Sequence, residues 1–520
     1  MKKRMKYRVG KGWKEREINY IPVRYIFAVL ITLLETLAII AIIAALCYFV
    51  PYFYLAVWAT EIGCVIRIIS SDDNPDYKVP WLLFVLILPI AGFMFYFLFY
   101  SRKLQKKYLR RLNKMKTEGY ERDDSELFAQ LKKENPNAYS QAKMLCKIGE
   151  THLFTNTKQT YFPLGEDMWV RLLADLRAAQ KFIYMEYFII EDGAFWGSIF
   201  DILRQKASDG VEVKVVFDDV GCMSTLPGNY AKILKGYGIA ATPFSRLKGN
   251  ADSEFNNRSH RKITVIDGFI AYTGGVNIAD EYINAVQRFG HWKDTAIRLE
   301  GEAAWALTRL FLIDYGINVK AAPVIRADTY PHLDIRERGY IVPFGDGPSP
   351  IYERRVGKSV IANLLAGARE YAYITTPYLI IDNELCQTLE NTALRGVQVK
   401  IITPHIPDKK AVFAMTRSFY PRLMAAGVEI YEYEKGFIHA KSYLCDGEVG
   451  MIGTINLDYR SLVHHFENGV WLYKCACLAD LKRDIEQTLE KCIKITPDLI
   501  KVKPLQRFFR ALIRIFAPLL

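Results

Sequence analysis

Two stretches of this sequence carry side chains that can do chemistry together. His260-Arg-Lys262-Ile-Thr-Val-Ile-Asp267 and His439-Ala-Lys441-Ser-Tyr-Leu-Cys-Asp446 both read His-x-Lys-x-x-x-x-Asp, and both are followed by glycine, so that each closes on an Asp-Gly hairpin-turn signal. Each runs on an apolar, partly β-branched segment that predicts a strand. Residues i and i+2 of a strand share a face, so each copy sets an imidazole beside an ammonium. One such pair is an ordinary surface feature; two brought together make a phosphate site with a nucleophile and an acid.

The chemistry follows from the substrate. A phosphodiester resists attack because its oxygens are negative, so a catalyst must neutralise that charge and protonate the leaving alkoxide. Lys262 and Lys441, with amide donors from Asn277 and Asn456, can supply the first function without a metal. One neutral imidazole can attack phosphorus while the other, protonated, gives its proton to the departing alcohol and then deprotonates the incoming one. The near-symmetry of the two motifs leaves open which histidine does which. Asp267 and Asp446 lie on the opposite strand face and precede glycine, which reads as a turn-stabilising role rather than contact with phosphate.

The elements that must position these groups are themselves repeated. An offset of 179 residues relates His260 to His439, Lys262 to Lys441, Asp267 to Asp446 and Asn277 to Asn456. The flanks Gly274-Gly275 and Gly453-Thr454 match as well. Upstream, 186–192 echoes 377–383 and 210–216 echoes 396–402 with small insertions. Between them the pattern alternates: 168–180 and 197–208 predict helices, and 182–190 and 211–217 predict strands. Such alternation predicts a largely parallel or mixed sheet covered by helices on both faces, built twice, each copy giving half of one site.

The paired motifs resemble the HKD signature of the phospholipase D superfamily. Gly453-Thr-Ile-Asn-Leu-Asp-Tyr-Arg-Ser461, the N-terminal apolar segment and Asp72-Asp-Asn-Pro75 are similar to its bacterial cardiolipin synthase branch. The resemblance implies an α/β fold with two tandem phospholipase D-like α/β/α sandwich domains forming one pseudo-twofold site, preceded by transmembrane helices. It implies a catalytic motif of His260, Lys262, Asp267, His439, Lys441 and Asp446, with His260 as nucleophile and His439 as acid and base. It places a histidine-orienting carboxylate downstream of each motif, by position Asp294 and Glu467. The implied reaction joins two phosphatidylglycerol molecules into cardiolipin and glycerol through a phosphohistidine, with no cofactor and no metal. The same intermediate would serve a phospholipase D or a phosphatidylserine synthase, and the superfamily also includes nucleases. The chain departs from the branch at Val463-His464-His465-Phe466, where the family is more apolar; this histidine pair reads as a surface or lining feature rather than a metal site.

Composition agrees with a membrane setting. Of 520 residues 51% are hydrophobic, the excess lying before residue 100, and the net charge of +13 calls for an anionic partner. The strongest basic clusters flank apolar segments, which points to anionic membrane lipids rather than nucleic acid. Nine scattered cysteines without Cys-x-x-Cys spacing argue against a disulfide framework or a zinc site. Gly357-Lys358-Ser359 lacks the glycine five residues earlier that a phosphate-binding loop requires, since residue 352 is Tyr.

The expected domains are a basic cytoplasmic tail (1–20), a transmembrane segment (21–100), a helical neck (101–150), two phospholipase D-like domains (151–330 and 331–500) and an amphipathic membrane-surface helix (501–520). The segment holds three apolar runs, 26–50, 52–69 and 81–100. Basic clusters on both flanks ask to be cytoplasmic, which needs an even number of crossings. The middle run, with Glu61 and Arg67, is therefore expected to be re-entrant or interfacial.

Overall fold

The computed structural model describes residues 2–9, 12–19, 23–49, 51–71, 74–99, 103–112, 117–118, 122–246, 256–319, 325–326 and 335–501, with 505, 508, 513–515 and 517 beyond them. The chain divides into two compact units. Most of the expected surface helix at 501–520, and residues 327–334 around the expected domain boundary at 330, lie outside the described residues.

The first unit contains the N-terminal segment. Lys2–Val9 and Gly12–Asn19 form an antiparallel pair of strands. Val23–Phe49 and Pro51–Ile69 are α-helices, each with a stretch long and apolar enough to cross a membrane. The third apolar run is broken: helices Pro75–Ile87 and Pro89–Phe99 have 13 and 11 residues, each short of the roughly 20 a crossing needs. They fold against one another through Trp81 and Tyr96, ring centroids 5.5 Å apart, and through Phe84 and Phe95 at 5.7 Å. A Cβ on Gly92 would collide with the backbone of Phe84 and Val85, so the close approach depends on that glycine. The sequence expectation singled out the middle run. The middle run is a continuous helix, and Pro89, which cannot continue the preceding ladder, divides the third.

The second unit carries both motifs. Its first sheet contains β1 (Thr157–Phe162), β2 (Phe182–Tyr187), β3 (Glu212–Asp218), β4 (Ala240–Phe244), β5 (Ile263–Ile266), β6 (Ile270–Gly274) and β7 (Ala296–Gly301), in the order β1-β7-β6-β5-β2-β3-β4. The second contains β8 (Tyr340–Asp346), β9 (Tyr371–Thr375), β10 (Gln398–Pro404), β11 (Glu429–Tyr433), β12 (Ser442–Cys445), β13 (Val449–Gly453), β14 (Glu467–Tyr473) and β15 (Cys492–Lys494), in the order β8-β14-β13-β12-β9-β10-β11-β15. Adding seven to each label of the first order reproduces the second, with β15 appended. In both sheets the second, third and fourth strands pair in parallel and the others antiparallel. The repeated sequence has become a repeated mixed sheet.

One apolar core joins the copies. Val265, Ile297 and Leu299 of the first sheet pack in the same cluster as Ile341, Ile452 and Val470 of the second. Helix Ala304–Asn318 belongs to it and is buried around nearly its whole circumference, as a helix apolar on all sides must be. The charged neck begins with helix Lys103–Leu112, followed by Ser125–Glu134 and Pro136–Ile148, with the break at Pro136.

Candidate active site

The ladders of β5 and β12 begin at Ile263 and Ser442, so His260 to Lys262 and His439 to Lys441 precede their strands rather than lying on them. The reason is where their backbone bonds go. The His260 amide donates to Phe466 O (2.8 Å) and Phe466 N donates to Arg258 O (2.9 Å). In the mirror arrangement the His439 amide donates to Lys293 O (2.7 Å), continuing a short parallel pair between His291–Lys293 and Gly436–Ile438. Each motif histidine is thus zipped to a segment of the opposite half, and each such segment ends in a carboxylate.

The carboxylates therefore cross over. Glu467 lies 2.9 and 3.0 Å from His260 Nδ1, and Asp294 lies 2.6 Å from His439 Nδ1. Glu467 also accepts from Ser461 Oγ at 2.6 Å and from the Thr454 hydroxyl. Asp294 accepts from its neighbour's amide, Thr295 N, at 2.8 Å. Gly275, the counterpart of Thr454, leaves the room: a Cβ there would collide with the Asp294 carboxylate.

Lys262 Nζ donates to the His260 carbonyl at 2.7 Å, and Lys441 Nζ donates to that of His439. An ammonium has three N–H groups, so each keeps two for a ligand. Asn277 Nδ2 donates to Tyr282 Oη (2.8 Å) while its Oδ1 accepts from Ile189 N (3.1 Å). Asn456 Nδ2 donates to Asp458 (2.9 Å). Each Nδ2 bond uses one of the two N–H groups of its amide. Asp267 and Asp446 serve the backbone instead, each sitting at positive φ and accepting three main-chain amides. These come from Gln180, Lys181 and Phe182 for Asp267, and from Arg369, Glu370 and Tyr371 for Asp446. They tie the motif turns to the starts of β2 and β9, and their carboxylates face those amides.

Both histidines, both lysines, Asp294 and Glu467 are buried. Burial, followed by the nearby lysines, holds both imidazoles well below the usual histidine range. Burial also brings Lys262 down to about 7 and Lys441 to about 8, and raises Asp294 and Glu467 to about 7 against the pull of those lysines. A phosphodiester anion placed among them would favour the charged lysines and protonation of one imidazole. With Nδ1 held by a carboxylate, each ring presents Nε2 as its reactive nitrogen.

A buried ionic layer fixes the backbone around His260, and sequence reasoning missed it. Arg258 donates to Asp218 (3.0 Å) and to the carbonyls of Phe244 and Ser245, both at 2.9 Å; Asp218 also accepts from Ser259 N at 3.0 Å. Arg261 pairs with Asp314 and donates to Glu467 O at 3.0 Å. Glu186 accepts from Ser259 Oγ at 2.6 Å. The available signal was two arginines flanking a histidine in a stretch otherwise destined for the interior.

His465, read from the sequence with His464 as a surface or lining feature, is buried. It packs against His260, ring centroids 5.5 Å apart, with Phe188 beside both. His260, His465 and Glu467 each offer a potential metal-ligand atom within 4.8 Å of one another, but the charges of Lys262 and Lys441 oppose a dication there.

The comparisons with known proteins agree with this architecture. Residues 172–287 and 361–489 match the family model described as "Cardiolipin synthase, PLD-like domain", and 62–99 match "Phospholipase_D-nuclease N-terminal". An uncharacterized protein of Streptococcus mutans serotype c is 41% identical over 88% of this chain and 100% of its own length. A cardiolipin synthase of Alkalihalophilus pseudofirmus is 33% identical over 88% of this chain and 91% of its own. The crystal structure of a phosphatidylserine synthase of Haemophilus influenzae Rd KW20 superposes with a TM-score of 0.56 at 16% identity. That alignment covers 73% of this chain and 98% of that one, a likeness of fold.

Proposed function

The chain belongs to the cardiolipin synthase family of phospholipase D-like enzymes, and from that premise we propose that it makes cardiolipin and glycerol from two phosphatidylglycerol molecules through a phosphohistidine. The observation that carries the reading is the crossed pair of His–carboxylate contacts beside two buried lysines. In the first step Lys262 and Lys441, helped by the remaining N–H groups of Asn277 and Asn456, hold the phosphodiester oxygens. His260 Nε2 attacks phosphorus, the bond to the headgroup glycerol breaks, and His439 delivers a proton to the departing oxygen. In the second step neutral His439 takes the proton from the terminal hydroxyl of another phosphatidylglycerol, whose oxygen displaces His260. One phosphodiester replaces another, so no nucleotide is needed.

The anchor fits the substrate. Two long apolar helices hold the chain at a bilayer, and a basic cluster on each flank favours a cytoplasmic position for the catalytic unit. Detergent-solubilised protein given phosphatidylglycerol alone, with a chelator and no nucleotide, should yield cardiolipin and glycerol in equal amounts, and His260→Ala should yield neither. Phosphatidic acid as the main product would instead make water the acceptor, and no lipid turnover by folded protein would contradict the reading.

A further inference from the structure

His465 is a buried polar group that the transfer mechanism does not use. Its side chain is 9% exposed, and neither ring nitrogen has a hydrogen-bond partner among the described residues. Nδ1 lies 3.9 Å from Glu467 Oε1, beyond hydrogen-bond range. Leaving a buried donor or acceptor unmatched costs stability, here at both ends of one ring. A phenylalanine would fill similar space without that cost, so the ring's polarity asks for a ligand. Its neighbour is His260, the nucleophile of the proposed reaction.

The type of ligand follows from what the site already offers. Burial, reinforced by His260 and Arg460, keeps the His465 imidazole neutral at pH 7, with one N–H and one lone pair. Lys262, Lys441 and the two asparagine amides supply donors, which suit phosphate oxygens. A lone pair in such a place suits a hydroxyl, which both gives and accepts a hydrogen bond. Asn456 Oδ1 is a second buried acceptor in the motif without a partner among the described residues. Of the parts of a phosphatidylglycerol molecule, the headgroup glycerol alone carries hydroxyls.

Resting on the phosphatidyltransfer reading, we propose that His465 binds a hydroxyl of the glycerol headgroup adjacent to the reacting one, and so selects vicinal diols over simple alcohols as acceptors.

The test uses the partition of a single intermediate. Full-length enzyme in detergent is given phosphatidylglycerol with equal concentrations of 1,2-propanediol and 1-propanol, a chelator being present to keep metal off the His260, His465 and Glu467 cluster. Both phosphatidyl alcohols arise from the same phosphoenzyme, so their ratio reports acceptor choice alone. Wild type should favour the diol, His465→Phe should lower the diol-to-propanol ratio about tenfold, and His465→Asn, which restores a donor and an acceptor, should recover part of it. A structural role would lower the melting temperature and total turnover while leaving the ratio unchanged, and that result overturns the proposal. A wild type without diol preference overturns it with no variant needed, even if His465→Phe does not fold. Cardiolipin formation by wild type with an unaltered variant ratio contradicts the hydroxyl assignment alone; absence of every transfer product contradicts the phosphatidyltransfer reading and the assignment with it.

Discussion

Glu467 Oε1 stands 2.9 Å from Nδ1 of His260, a residue 207 positions earlier and in the other copy of the repeat. Asp294 makes the reciprocal contact with His439 at 2.6 Å. Each histidine therefore takes its orientation from the opposite half, and neither half contains a complete acid–base unit.

Removing the orienting charge should affect turnover more than folding. Glu467→Gln and Asp294→Asn keep the size of each side chain but leave His260 or His439 free to adopt the wrong tautomer. Each should lower kcat by about 10² to 10⁴, with the protein still folded by circular dichroism. Cardiolipin formation rates under saturating substrate check this.

Lys262 illustrates how function opposes stability. Its folded pKa of about 7 lies below the unfolded 10.5, so folding disfavours its charged form. That penalty is fully present below pH 7 and disappears as pH rises towards 10.5. Lys262→Met should abolish activity yet raise the melting temperature, and the gain over wild type should be largest at or below pH 7 and shrink steadily above it. Melting curves from pH 6 to pH 10 provide the comparison.

The pair Arg261 and Asp314 is wholly buried beneath the site. Arg261→Met leaves Asp314 as an uncompensated interior carboxylate, and should cost about 3–5 kcal/mol of unfolding free energy. Asp314→Leu in the same chain should recover most of that loss, since it removes the stranded charge. Denaturant melts of the single and double variants test the coupling.

Asp446 completes the signature motif, and we propose that it serves the turn rather than the chemistry. Its carboxylate accepts backbone amides of Arg369, Glu370 and Tyr371. Asp446→Asn, which tolerates the same positive φ, should destabilise by about 1–3 kcal/mol while kcat of the folded enzyme stays within about tenfold of wild type. A loss comparable to that of His439→Ala would place this carboxylate in the reaction.

Much of this was legible in the sequence because the repeat is explicit. The 179-residue offset announces two matched sheets, and His-x-Lys on each announces two His/Lys pairs that come together. Which carboxylate serves which histidine was not legible, since that depends on the pairing of 258–260 with 466–467 and of 291–293 with 436–438, contacts that spacing along the chain does not encode. The motif residues also read as strand, yet their backbone bonds go to the other half and the ladders start three residues later. The helix boundaries of the membrane segment were not legible for a local reason. Glu61 and Arg67 drew attention to the middle run, whereas Pro89 and the tight approach at Gly92 divide the third. Arg258 and Arg261 escaped notice, and His465 was read as a surface or lining feature, because their importance lies in being buried, a property of the fold.

The most direct measurement is to trap the covalent intermediate. A phosphatidyl ester of p-nitrophenol, whose leaving group needs no proton, is mixed with His439→Ala and, separately, with His260→Ala, quenched in alkali and mapped by mass spectrometry. A phosphatidyl adduct on His260 in the first variant, with none in the second, is the predicted result. An adduct on His439 in the second variant, or none in either while wild type turns over, would contradict it.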